Sequence, residues 1–253
     1  NNFTAGELSE AIDTRTSFER YFNGSSILQN FIVTKEERLN TLKETLPPIA
    51  NYFSNIKFYV NYNSKFNFEE VYSLYKNNIN DLNFYNDLTM DWGKVVQSML
   101  SEIETDYVFV LPEDFILFNK DTDYFNNLVE EFINYNCTHM IMHRVEDVKC
   151  YGTNQDYYHL YDSKEYLHLV ESDVYPTSCL SSVAIYKKDF LNDFLNVYNN
   201  QVKSERFSLA TPNCYEWFSH DRLSNLVENQ MFAVPKKAVV QHYEPYKIKE
   251  RKV

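Results

Sequence analysis

The segment from residue 89 to residue 117 constrains the fold more than any other. In 89–104, Val95, Val96, Met99, Leu100 and Ile103 recur at helical spacing, so the stretch reads as a helix with one apolar side. It leads directly into Tyr107-Val108-Phe109-Val110-Leu111, an apolar run with no polar alternation. Such a run fits a central strand covered on both faces, and two covered faces require helices on either side of a sheet. Immediately after it come Pro112, Glu113 and Asp114.

The flanking chain repeats this alternation. Strands are expected at 27–34, 57–61 and 82–85, with helices at 35–46 and 68–77 between them. In the first of these helices Leu39, Leu42 and Leu46 share a face, and Glu36 and Glu37 occupy the dipole-favoured first turn. Pro47 and Pro48 are expected to disturb or end it. Beyond residue 118 the pattern is mixed: helices at 123–135, 188–198 and 215–228, and strands at 139–143, within 156–172, and at 182–186, 231–234 and 239–242. The fold class expected is α/β, with a mainly parallel central sheet flanked by helices and a mixed C-terminal half. Residues 1–26 are polar, with a short helix possible at 17–22, and read as an N-terminal extension. Residues 27–253 read as one domain, because no repeat, Gly/Ser linker or low-complexity tract divides them.

Composition removes several function classes. The net charge of -12 argues against nucleic-acid binding, which depends on clustered Lys and Arg against phosphate. The four cysteines (Cys137, Cys150, Cys179, Cys214) contain no CxxC pair, so zinc is not expected and the thiols read as reduced. No apolar run approaches the roughly 20 residues of a membrane span. Reduced thiols fit the inside of a cell, and a cytoplasmic location is expected. Only four Gly occur, and GxxxxGK[ST], GxGxxG and GxSxG are all missing, which leaves little room for a phosphate-cradling loop.

Ligands of open α/β sheets bind beyond the carboxyl ends of the strands, where Glu113 and Asp114 fall. A carboxylate there can hold Mg²⁺ or Mn²⁺ bridging the phosphates of a nucleotide diphosphate, although Asp in a turn after a strand is also commonplace. The strings DWGKVVQSML and YVFVLPEDFIL together resemble the core of a family-2-like glycosyltransferase of the GT-A type, in which a helix leads to an apolar strand ending in Asp-x-Asp. NFIVTKEERLNTLKETL is similar to that family's first strand and helix. The likeness covers about 28–242.

The resemblance implies a GT-A-like domain with a nucleotide-binding half (27–118) and an acceptor-binding half (119–253). It implies a glycosyltransferase, of inverting type, moving a sugar from a nucleotide-diphosphate sugar to a hydroxyl acceptor such as a glycan. Asp114 matches the metal-binding end of the motif, whose first Asp is here Pro112, with Glu113 in the middle. Thr34, Lys35, Glu36 and Arg38 match positions near the donor's base and ribose; Arg38 also suits a solvated helix face. His242 is placed to complete the metal site with Asp114, or to make an ordinary structural hydrogen bond. Asp221 matches the general base, with Glu216 in reserve, while Ser219 and Asp221 equally suit a helix cap. Asp173, Tyr175 and Trp217 are acceptor-side candidates, and Trp217 fits core burial as well. Two other functions fit the same sheet: a nucleotidyltransferase, or a non-catalytic sugar- or nucleotide-binding module.

Overall fold

The computed structural model describes residues 26–31, 36–88, 92–142, 162–171, 183–201, 226 and 228–243. The possible helix at 17–22, the end of the first strand, and most of the helix expected at 215–228 lie outside these residues. Among the described residues, five helices and eleven strands alternate in the first half as expected. They are β1 (Ser26–Phe31), α1 (Glu36–Tyr52), β2 (Lys57–Tyr62), α2 (Phe68–Asn78), β3 (Leu82–Tyr85), α3 (Trp92–Ser101) and β4 (Tyr107–Val110). Then follow β5 (Phe115–Leu117), α4 (Thr122–Asn134), β6 (His139–Ile141), β7 (Asp162–Ser163), β8 (Leu167–Glu171), β9 (Ala184–Lys187), α5 (Lys188–Gln201), β10 (Met231–Pro235) and β11 (Val240–His242).

Nine of these strands form one sheet in the order β3-β2-β1-β4-β9-β6-β10-β8-β7, and β5 pairs with β11 in a separate ribbon. Strands β3, β2, β1 and β4 are mutually parallel. β9 runs antiparallel between β4 and β6, and β8 runs antiparallel to β10. The sheet is therefore parallel in its first half and mixed in its second. Because Leu28 and Val110 lie in register, the ends of β1, β2, β3 and β4 share one edge with the start of β9.

Strand β4 is covered on both faces, as its unbroken apolar run requires. Phe109 and Leu111 pack with Leu39, Leu42 and Leu46 of α1, Tyr75 of α2 and Phe125 and Phe132 of α4. Val108 and Val110 face the other way, against Val96 and Met99 of α3 and Phe194 and Leu195 of α5. Each such side chain, fully buried, contributes about 1.5–3 kcal/mol of transfer free energy.

One local expectation fails, and one strand was not anticipated. Helix α1 continues through Pro47 and Pro48 to Tyr52. The prolines give up two helical hydrogen bonds, to the carbonyls of Lys43 and Glu44. Lys43, Glu44 and Pro48 are on the exposed face, so those carbonyls are open to water. Leu46, Ile49, Ala50 and Phe53 are meanwhile buried on the other side, and that packing keeps the helix going. Strand β5 was unsuspected because its three residues, read locally, belong to the turn after β4. Its partner β11 is more than a hundred residues away.

Candidate functional site

Leu111 extends β4 by one bond, its N–H donating to the Leu28 carbonyl at 3.1 Å. Pro112 then offers no N–H to continue the ladder, and the chain leaves the sheet edge with Glu113 and Asp114. Helix α1 fixes this turn: the buried hydroxyl of Thr45 donates to the Glu113 carbonyl at 2.6 Å.

The two acids meet different surroundings. Glu113 is buried, and Arg38 Nη1 lies 3.4 Å from its Oε1. Burial, then the charge of neighbouring Asp114, push its carboxyl up to about 7, an effect that Arg38 and, less strongly, His242 offset only in part. The Arg38 side chain is 53% exposed, so its pull is screened by water. Behind Glu113, Tyr75 donates to Gln29 Oε1 at 2.7 Å. Burial and, secondarily, the Glu113 charge hold that phenol well above its ordinary range.

Asp114 points instead to the rim. Its Oδ2 is 2.9 Å from Nε2 of His242, whose side chain is 44% exposed. The β5–β11 ribbon creates this contact, because Phe115 lies opposite His242 in register. The Phe115 ring packs edge-on to the imidazole with centroids 5.2 Å apart, and the Tyr243 N–H donates to the Asp114 carbonyl at 2.7 Å.

An amide seam closes the same edge on its other side. Asn61 Nδ2 donates to Asn30 Oδ1 at 3.0 Å and to the Asp87 carbonyl at 3.3 Å, and its Oδ1 accepts the Asp87 N–H at 2.8 Å. Asn86 Nδ2 donates to the carbonyls of Tyr62 at 2.6 Å and Ser64 at 3.0 Å. These bonds tie together the ends of β1 and β2 and the loop after β3. Glu36, in the first turn of α1, accepts from Asn67 Nδ2 at 3.3 Å, beside the start of α2.

Of the residues singled out in the sequence, Glu113, Asp114, Arg38 and His242 thus come together, and Glu36 lies nearby on α1. Thr34, Lys35, Asp173, Tyr175, Glu216, Trp217 and Asp221 lie outside the described residues. The described ends that flank two of those stretches do lie toward this edge. Val183 precedes Ala184, which is in register with Val110. In α5, Lys188 bonds the Ile103 carbonyl at the far end of α3 while Asn199 bonds Gln97, so the helix runs back toward the site edge. Glu44, Thr45, Asn30, Asn61 and Tyr243 were missed. The available signal was a polar residue interrupting an apolar strand, as in Gln29-Asn30 and Asn61.

Among the described residues, no three His, Cys, Asp or Glu side chains converge into a metal cage, and no helix is long and apolar enough to cross a membrane. Cys137 is buried with its thiol pushed up to about 12, which leaves it unreactive near neutral pH.

No family profile matches the sequence, and no curated protein does. Solved structures do match. TarS residues 1–349 from S. aureus in complex with UDP-GlcNAc superposes with a TM-score of 0.57 at 16% identity, over 87% of this chain and 58% of that one. The same fragment in complex with UDP gives 0.52 at 17% identity, over 89% and 62%. A further structure of the fragment gives 0.52 at 18%, again over 89% and 62%. This chain therefore spans about three-fifths of the length of these structures, and identities this low establish the fold alone. That fold is GT-A-like.

Proposed function

We propose that this chain is a nucleotide-sugar-dependent glycosyltransferase domain that transfers a sugar, with inversion, to a hydroxyl acceptor. The observation that carries this reading is the Asp114–His242 pair at the edge where β1 to β4 end, beside the cationic Arg38. That edge is where open α/β sheets take their ligands. A uridine diphosphate sugar is the donor to test first, since a structure of the same fold holds UDP-GlcNAc.

The residues present fit a divalent cation. Asp114 and His242, a carboxylate and an imidazole already brought together at 2.9 Å, would supply two ligands to it. Two protein ligands suffice for a hard cation that completes its shell with water and phosphate oxygens. Asp114 and His242 would hold the cation, whose positive charge would stabilise the leaving diphosphate. Arg38 adds a second positive charge there, and Glu113 holds its guanidinium at the mouth of the site.

The transfer needs a base on the acceptor. Asp221 takes the proton of the acceptor hydroxyl. The oxygen forms its bond to the anomeric carbon from the face opposite the diphosphate, and the bond between that carbon and the diphosphate oxygen breaks. The nucleoside diphosphate leaves with the electron pair. Asp173, Tyr175 and Trp217 are the acceptor-side residues of this reading, and Glu216 is the alternative base.

The test separates an enzyme from a binding module. Asp221→Asn is expected to lower turnover by about 10²–10⁴-fold while leaving donor affinity within a factor of two or three. Nucleoside diphosphate release and donor titration calorimetry measure the two quantities. Undiminished turnover removes Asp221 from this role, and a wild-type chain with no release from any nucleotide sugar and acceptor points to a binding module.

A further inference from the structure

The ribbon that brings His242 to Asp114 is very short. β5 and β11 have three residues each, and a two-stranded ladder of that length does not sustain itself in water. It is held at one end by the N–H groups of Val239 and Val240, both 3.1 Å from the Met142 carbonyl, and by Phe118 N–H to the Val239 carbonyl at 2.9 Å. The other end, where His242 sits, is held differently. The Tyr243 N–H bonds the Asp114 carbonyl, and the Tyr243 hydroxyl donates to the carboxylate of Glu44 on α1. The next residue of α1, Thr45, bonds the Glu113 carbonyl. Adjacent residues of one helix thus grip both strands of the site, closing a ring that runs through Glu113, Asp114, Tyr243, Glu44 and Thr45.

We infer that Glu44 and Tyr243 form a latch that positions His242 on Asp114 and so sets the affinity of this pair for a divalent cation. The metal arm of this inference rests on the function proposed above; the latch itself does not. Neither residue touches the cation or the donor. Both act through the ribbon: with the latch open, the end of β11 moves away from the acidic turn, and the imidazole no longer stays within ligand distance of Asp114. Supporting groups of this kind commonly change metal affinity without ligating. Because Glu44 is exposed, water competes for its bond and the expected effect is moderate.

The experiment uses the full chain and the variants Tyr243→Phe, Glu44→Ala and Glu44→Gln. Amide hydrogen exchange at Tyr243, whose N–H bonds the Asp114 carbonyl, reads the latch without metal. Electron paramagnetic resonance of free Mn²⁺ reads metal affinity without donor. Tyr243→Phe and Glu44→Ala are expected to speed exchange at this amide by roughly threefold to tenfold and to weaken Mn²⁺ binding by a similar factor. Glu44→Gln, whose amide oxygen still accepts the tyrosine hydroxyl, should fall close to wild type in both. Unchanged exchange in Tyr243→Phe and Glu44→Ala overturns the latch. Faster exchange with unchanged Mn²⁺ affinity overturns its role in holding the cation. If wild-type protein binds no Mn²⁺ at all, the metal reading fails and the exchange rates alone decide whether the latch exists.

Discussion

The two halves of the sheet organise polar side chains in opposite ways. In the parallel half, β1 to β4 all end at one edge, and each end is tied by named bonds: Asn30 with Asn61, Asn61 with Asp87, Glu113 with Thr45 and Arg38. In the mixed half, the described polar contacts lie largely away from that edge. Glu131 of α4 accepts the N–H groups of Glu165, Tyr166 and Leu167 at 2.8–3.0 Å, fixing the turn into β8, and Gln97 bridges α3 to the asparagines of α5. Among the described residues, the first half shows a polar rim on short turns and the second a braced framework. A parallel arrangement gathers strand ends at one edge, whereas antiparallel neighbours send alternate ends away from it. Ligands of open α/β sheets bind where strand ends gather, and the first plan supplies such an edge.

The sharpest way to break this contrast is at Asp114, the rim residue that both halves share through His242. Asp114→Asn removes the negative charge from the pair and is expected to lower kcat/KM by about 10²–10³-fold, a few kcal/mol of transition-state stabilisation. Steady-state kinetics across a Mn²⁺ series measure it, and a variant that keeps both its rate and its metal dependence would dissociate the rim from the chemistry.

Glu113 probes the buried side of the same rim. With its carboxyl near 7 in the folded chain against an ordinary value of 4.5, the folded state retains a proton that the unfolded state has lost between about pH 4.5 and pH 7. Folding stability, for this group, therefore falls as pH rises through that window and stays low above it. Glu113→Gln should flatten this part of the profile and raise the melting temperature at pH 8 relative to wild type. Thermal melts from pH 4.5 to 8 without metal test it; identical profiles would mean the carboxyl titrates normally. A smaller effect is expected at Thr45. Thr45→Val leaves the buried Glu113 carbonyl without this donor and should cost about 1–3 kcal/mol in chemical denaturation. A cost near zero would mean that the turn does not depend on α1.

Much of the parallel half was legible in the sequence because each element there carries its own signal. Residues 57–61 and 82–85 anticipated β2 and β3 closely, and the apolar run at 107–111 fixed the centre of the sheet and the place of Asp114. What was not legible depends on distant partners. β5 exists only because β11 pairs with it, and α1 survives Pro47 and Pro48 only because Leu46, Ile49, Ala50 and Phe53 are buried. Asp114 follows the strand β4 and His242 ends the strand β11, which suggested both residues. Their 2.9 Å contact follows from the register of the ribbon, which no local pattern encodes. The amides Asn30 and Asn61 were passed over because they sit inside otherwise apolar strands, where their bonding partners come from other strands.

The central claim is that the Asp114–His242 pair makes the parallel edge a metal-assisted site for a nucleoside diphosphate. Calorimetric titration of UDP into the wild-type chain, with and without Mn²⁺, tests it most directly. The account predicts binding that tightens at least about tenfold when Mn²⁺ is present, with the gain lost in His242→Ala. Equal affinity with and without the metal, or no UDP binding at millimolar concentration by well-folded protein, would contradict it.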